Sequence, residues 1–273
     1  MTDRSVVEAW DEVAPLYGAG SSPFRQFAER LAAWAGVATG ERVVDLGCGN
    51  GLGLAALLDG GAAPVTGVDF SRAMLAASAE RLAARAPVGP VALVQADVVA
   101  LPFPDGAFHV AVASSVFQFV GYAGAALREW RRVLAPGGRL ALSIPSGAPA
   151  ADGPPDVNLT LLAEFFGRLP PEAQQRLRAR PRVPAHPPDL GDACRAAGFA
   201  HVDVADVEFV TTVPGLDAWW DLQWTHGFRG FLREFDDPTL DEIRARAFDL
   251  VRPRCTATGE VEGRQVFRFV RAR

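Results

Sequence analysis

Residues 43–51 read Val-Val-Asp-Leu-Gly-Cys-Gly-Asn-Gly, and this run limits the possible folds more than any other. An apolar pair ends a strand. Glycines follow at every second position, Gly47, Gly49 and Gly51, and an apolar run from Leu52 to Leu58 comes next. Strand, glycine loop and helix form a frame that holds a nucleotide at a helix N-terminus. Phosphate-binding versions of this loop keep carboxylates away from the pyrophosphate. Here Asp45 stands two residues before the first glycine, and a carboxylate there suits a cationic ligand. The alternative is a tight turn whose glycines serve backbone geometry alone.

Two further acids favour the ligand site. The run Pro-Val-Thr-Gly-Val-Asp (64–69) is a short apolar strand ending in Asp69, 24 residues after Asp45. Doubly wound nucleotide folds place there the acid that grips ribose hydroxyls. Val91 to Ala96 reads as a third strand, followed by Asp97, whose carboxylate can accept a hydrogen bond from an exocyclic adenine amine. A dinucleotide-dependent oxidoreductase fits less well. The fingerprint Gly-x-Gly-x-x-Gly needs Gly or Ala at 52 or 54, and both are Leu. A third register, Gly51-x-Gly53-x-x-Ala56, matches but starts six residues past the strand end, too late for a turn that must follow the strand directly.

These segments, with Leu101-Pro-Phe-Pro-Asp105 and Val133-Leu-Ala-Pro-Gly-Gly-Arg-Leu140, make the chain similar to the class I S-adenosylmethionine-dependent methyltransferases over about residues 37–146. The resemblance implies an α/β fold: a doubly wound, seven-stranded Rossmann-like sheet, its last strand antiparallel, with helical lid and cap insertions. It implies S-adenosylmethionine as cofactor. Gly47, Gly49 and Gly51 would let the backbone pass close to its methionine part, Asp45 and Cys48 would join them in the cofactor-binding loop, and Asp69 would hold the ribose. Asp97 and the amide of Val98 would hold the adenine edge, with Phe70 and Met74 flanking the base. Tyr17 would cover the cofactor carboxylate from an N-terminal lid, and Ser114, at the end of the fourth strand, completes this set.

The 273 residues fit one methyltransferase domain: lid helices at 1–36, a cofactor core at 37–146, and cap or substrate insertions at 147–182 and 213–255. The net charge is −5, which argues against nucleic acid as partner, since such binders carry basic patches. The fourth strand's end also lacks the Asp/Asn-Pro-Pro-aromatic element of adenine-N6 methylases. The three cysteines, Cys48, Cys194 and Cys255, form no Cys-x-x-Cys, which suits a reduced cytoplasm. No apolar run reaches the ~18 residues of a membrane span, and the N-terminus lacks a signal peptide's apolar segment. Carboxylate–histidine metal spacing is not apparent, so no metal is expected.

Strands are expected at 42–46, 64–69, 91–96, 108–114 and 138–144, with helices at 5–17, 22–36, 51–59, 71–86 and 122–135. Ser22 and Ser71 read as N-caps, and Pro136-Gly137-Gly138 as a turn feeding the fifth strand. Beyond a proline-rich linker at 145–156, the pattern gives helices at 157–180, 189–197, 215–235 and 239–251. Strands are expected at 202–213 and 265–270.

The segment Trp219-Trp-Asp-Leu-Gln-Trp-Thr-His-Gly-Phe-Arg229 is the substrate-pocket candidate, through Trp219, Trp220, Gln223, Trp224 and Arg229. The competing reading is a helix packing its apolar face on a core. Methyl transfer is an in-line displacement that depends on alignment. A base is needed only for a protonated nucleophile, and His is the usual one. Of the four histidines, His226 is the candidate catalytic residue; His109 and His201 start strands and His186 lies among prolines. Gln118 is a second candidate, placed just after the fourth strand. Arg176, Arg178, Arg180 and Arg182 form either an anion clamp or a solvated helix face. The expected partner is a small-molecule acceptor, read as a bacterial secondary metabolite; cyclisation by the same fold and a non-catalytic regulatory or scaffold protein are the rivals.

Overall fold

The computed structural model describes residues 4–18, 23–85, 89–120, 123–146, 156–179 and 190–273. Ser22, His186, Arg180, Arg182 and most of the linker at 145–156 lie outside them. In chain order the elements are α1 (Arg4–Val13), α2 (Phe24–Ala35), β1 (Val43–Leu46), α3 (Leu52–Asp59), β2 (Val65–Asp69), α4 (Arg72–Ala83), β3 (Val91–Gln95), β4 (Phe108–Ser114), α5 (Ala123–Arg132) and β5 (Leu134–Pro145). There follow α6 (Val157–Phe165), α7 (Pro171–Ala179), α8 (Leu190–Ala196), β6 (Val202–Val213), α9 (Gly215–Gln223), α10 (Arg229–Leu232), α11 (Asp237–Val251) and β7 (Val261–Ala272).

All four residues of β1 are buried, as a central parallel strand covered on both faces requires. The seven strands run in the order β3-β2-β1-β4-β5-β7-β6. β1 to β5 pair in parallel, and β7 lies antiparallel between β5 and β6. Chain order reverses between β1 and β4, which opens a ligand crevice at the carboxyl ends of those strands. One face of the sheet packs on α5 and α8 through Leu127, Trp130, Leu190 and Cys194. The other packs on α2 and α3 through Phe27, Leu31, Leu54 and Leu57. Ser71 caps α4 as its sequence position implies, its hydroxyl accepting from the Met74 N–H at 3.0 Å.

Several expectations change: the helix expected at 5–17 ends at Val13, and those expected at 157–180 and 215–235 are each broken in two, into α6 and α7 and into α9 and α10. Pro136-Gly137-Gly138 lies within β5 instead of preceding it. Phe108 pairs with Leu134 and Val110 with Arg139, so the surplus residues are absorbed as a bulge. The Leu101–Asp105 motif also acquires a structural role. Arg132 donates to the carbonyls of Leu101 and Phe103 and to the Asp105 carboxylate.

The later helices bury their own apolar cluster. Leu161 and Phe165 of α6, Ala173 of α7, Trp220 of α9, Phe231 and Leu232 of α10, and Ile243 and Ala247 of α11 meet there. Trp219 and Trp224 pack against it, Trp224 edge-on to Trp220 at 6.3 Å. Trp224→Leu is therefore expected to cost about 0.5–1.5 kcal/mol through the lost ring pair and to leave cofactor affinity unchanged. Denaturant melts and a titration with S-adenosylhomocysteine check both; a cofactor Kd that rises tenfold with no stability loss contradicts the packing role.

Candidate active site

A pocket open to solvent lies at the reversal point, where open α/β sheets bind their ligands. One side is the glycine loop: Asp45, Gly47, Cys48, Gly49, Asn50, Leu52 and Gly53. Asp69, Phe70 and Met74 come from the end of β2 and from α4, while Ser114, Ser115, Val116 and Phe119 leave β4. Trp10, Tyr17, Phe24, Phe27 and Ala28 close it from the N-terminal segment.

Asp45 is 2% exposed, and its carboxylate makes no hydrogen bond to a described residue. Burial, and then the nearby Asp69 charge, push its carboxyl up to about 7. A Cβ on Gly53 would lie 2.4 Å from its Oδ2, so the bare helix start lets the carboxylate sit against the loop. A buried carboxylate of this kind is stabilised in its charged form by a cation, and the donor set therefore fits a ligand carrying sulfonium and ammonium groups.

The position of Asp69 at a strand end predicts an exposed carboxylate, and the structure differs. Asp69 is 6% exposed, because the N-terminal segment packs across that end of the sheet. Its Oδ2 accepts from the Gly49 N–H and its Oδ1 from the Ser71 N–H, both at 2.9 Å. Burial raises its pKa, with those two amides and that of Phe70 opposing. Asp69→Asn is accordingly expected to lower stability as well as affinity. One of the two amides loses its acceptor, at about 1–3 kcal/mol. Parallel melts and titrations check this, and unchanged stability would contradict the bracing role of the carboxylate.

The N-terminal segment is latched at several points. The Asp11 carboxylate accepts from the Ser71 hydroxyl and the Ala73 N–H. The Asn50 amide donates to the Tyr17 carbonyl. Trp10 meets Phe119 edge-on at 5.4 Å. Tyr17 stacks on Phe24 at 4.8 Å, and burial, with the Asp69 charge, pushes its phenol up to about 12. From and beside α10, Arg233 pairs with Glu12 and Arg229 donates to the Glu12 carbonyl.

Of the expected cofactor residues, the pocket wall brings together Tyr17, Asp45, Gly47, Cys48, Gly49, Asp69, Phe70, Met74 and Ser114. Burial holds the Cys48 thiol well above its ordinary pKa. Gly51 lies behind the wall, where its built Cβ would meet Ser78 Oγ at 2.5 Å. Asp97 and Val98 are outside the wall. The Asp97 Oδ1 accepts from the Val99 N–H, and the Val98 carbonyl accepts from Trp130 Nε1.

The expected substrate residues do not line this pocket. Trp219, Trp220 and Trp224 belong to the cap cluster. Gln223 is 3% exposed, bonded to Asn158 and to the Trp219 carbonyl. Arg229 donates to the Glu12 carbonyl in α1. His226 sits one ring away, edge-on to Phe24 at 6.2 Å. Its Nδ1 accepts from the Phe228 N–H at 3.3 Å, and burial lowers its pKa to about 4. Gln118 is also outside the wall, its Oε1 buried without a hydrogen bond. Trp10, Phe24, Phe27, Asn50, Ser115, Val116 and Phe119 were not singled out from sequence; Asn50 alone carried a signal, being inside the loop. Among the described residues no group of three or more His, Cys, Asp or Glu is arranged to hold a metal, and no helix is long and apolar enough to cross a membrane.

A family profile described as a methyltransferase domain matches residues 44–142. The chain is 31% identical over 253 residues to nocamycin O-methyltransferase of Saccharothrix syringae, covering 89% of this chain and 88% of that one. It is 46% identical over 103 residues to a demethylmenaquinone methyltransferase of Thermus thermophilus, covering 37% of this chain and 45% of the relative. The crystal structure of the cyclase SpnF shares the fold, with a TM-score of 0.60 at 19% identity over 100% of this chain and 96% of that one. Profile, long relative, sheet order and glycine-loop pocket agree: the chain belongs to the class I S-adenosylmethionine-dependent methyltransferases and methylates a small molecule.

Proposed function

We propose that this enzyme methylates an oxygen of a small, largely apolar metabolite made by bacterial secondary metabolism. The observation that carries this reading is the pocket's division. Its loop side holds the buried Asp45 carboxylate, and its other side is an aromatic wall of Trp10, Tyr17, Phe24, Phe27 and Phe119. A flat apolar acceptor fits such a wall, as aromatic linings with few fixed polar groups generally accept. The long relative in Saccharothrix syringae is an O-methyltransferase, which supports oxygen as the accepting atom.

In this reading Asp45 faces the cofactor's cationic part, Asp69 the ribose, and Phe70 and Met74 the base. Asp97 and Val98 take the adenine edge by family resemblance. S-adenosylmethionine supplies an electrophilic methyl group whose leaving group is a neutral thioether. The protein's work is alignment and exclusion of water, and the latched lid with Trp10 and Tyr17 serves both. His226, neutral near pH 7 and with Nδ1 already accepting, carries its proton on Nε2. It backs Phe24 in the wall, and a side chain this weakly basic is a poor general base. The cap helices hold α1 in place through Arg229 and Arg233.

The test is incubation with trideuteromethyl-labelled cofactor and a panel of phenols, enols, carboxylic acids and quinols, read by mass spectrometry. Transfer of one labelled methyl to oxygen, with matching S-adenosylhomocysteine, is the expected result. A protein that binds S-adenosylhomocysteine but labels nitrogen, carbon or no panel member contradicts the reading.

A further inference from the structure

The pocket's polar groups are unequally committed. Asp69 and Asn50 spend their side chains on Gly49, Ser71 and Tyr17. Across the pocket, the chain leaves β4 through Ser114 and Ser115, both in the wall. The Ser115 side chain makes no hydrogen bond to a described residue. It is also the one non-glycine residue with positive φ among those described, at 54°.

The backbone has clear reasons to turn there. The Ser115 N–H donates to the Ser143 carbonyl at 2.9 Å, extending the β4–β5 ladder one step past the Ser114–Ser143 pair. Val116 then nests against the glycine loop, so closely that a Cβ on Gly47 would lie 2.4 Å from its Cγ2. Phe119 follows and reaches Trp10. Glycine would meet all of these demands without strain, whereas a side chain in this region is strained. An outlier of this kind at a ligand pocket is a reason to ask what the side chain does.

We propose that Ser115 is a positioning residue for the acceptor, its hydroxyl hydrogen-bonding the acceptor's polar group beside the attacking oxygen. The proposal rests on the oxygen-methylation reading above and narrows it. The acceptor presents a hydroxyl, enol or carboxyl group at the β4 end of the pocket, with its apolar body along the aromatic wall. A hydroxyl side chain offers one donor and two acceptor positions, so it can serve each of these groups. The oxygen lone pair forms the new O–C bond as the C–S bond breaks. That bond's electron pair stays on sulfur, and the acceptor proton passes to solvent. Ser115 takes no part in the bond changes; it fixes the angle of approach, and small misplacements are costly in such reactions.

The experiment compares wild type, Ser115→Gly and Ser115→Ala by thermal melt, by S-adenosylhomocysteine titration, and by kcat and KM for an acceptor that the wild type methylates. Ser115→Gly is expected to melt above both other proteins, because it alone relieves the φ strain. Both variants are expected to bind S-adenosylhomocysteine within twofold of wild type. Both are expected to lose at least roughly tenfold in kcat/KM for the acceptor. Retention of kcat/KM within twofold in both variants overturns the proposal. So does a Ser115→Gly protein no more stable than Ser115→Ala, since the strain argument then fails. A wild type that binds S-adenosylhomocysteine but methylates no oxygen overturns the functional reading, and this assignment with it.

Discussion

Gly47→Ala is expected to destabilise the protein by about 2–5 kcal/mol and to cripple its cofactor site. Gly47 has φ 71°, and its built Cβ would lie 2.4 and 2.9 Å from the two γ carbons of Val116. The left-handed conformation alone costs an alanine about 1–2 kcal/mol. Overpacking adds about 1–3 kcal/mol. Val116 relieves little of this, because its β-branched side chain is stiff and the residue before it already has positive φ. The Gly47 N–H also donates to the Val68 carbonyl at 2.7 Å, so a displaced loop disturbs the β1–β2 edge. Urea denaturation measures the stability loss. Adding Val116→Ala should recover part of it, since the two sites are in contact and contacting sites are not additive. Strict additivity would show that the clash is not the cause.

Cofactor affinity is expected to depend on pH through Asp45. Its folded-state pKa, about 7, is raised above the ordinary carboxylate value. The free protein therefore holds this proton more tightly than the unfolded chain does. Asp45 costs stability as pH rises from the usual carboxylate range to about 7, and beyond that its effect is constant. Binding has the opposite sense. A cationic ligand needs the ionised carboxylate, so affinity is expected to fall as pH drops below about 7, by up to roughly tenfold per unit. Above that pH it should level off. Asp69 and Cys48 face the same space and are also raised, so Asp45→Asn is the variant that isolates the effect. It should bind more weakly at pH 8 and lose the slope below 7. A slope that survives in Asp45→Asn assigns the proton to another group.

The sheet was legible because parallel central strands are apolar throughout and each ends near a turn signal or an acid. Val43–Leu46, Val65–Asp69 and Phe108–Ser114 fall within a residue or two of their expected limits. The bulge in β5 was hidden, because Pro-Gly-Gly reads the same whether it precedes a strand or interrupts one. The glycine-loop half of the site was legible because its chemistry lies within nine consecutive residues. The aromatic half was not. Trp10, Phe24 and Phe119 are far apart in sequence and converge only when α1 and α2 close over the sheet. The tryptophan cluster at 219–224 drew attention by composition, yet α6, α7, α10 and α11 supply enough apolar surface to bury it in a core of their own. Asp69 misled in the other direction: the sequence shows a strand-end acid but not the lid that covers it.

The most direct test of this account is calorimetric titration of S-adenosylmethionine into the wild-type protein and Asp45→Asn, each at pH 8 and pH 6. For the wild type at pH 8 the expected Kd is micromolar, about −7 to −9 kcal/mol. It should weaken by roughly tenfold at pH 6, while Asp45→Asn binds more weakly and equally at both. No binding heat at either pH, or a wild-type affinity indifferent to pH, would contradict the assignment of the glycine-loop pocket and its buried carboxylate as the cofactor site.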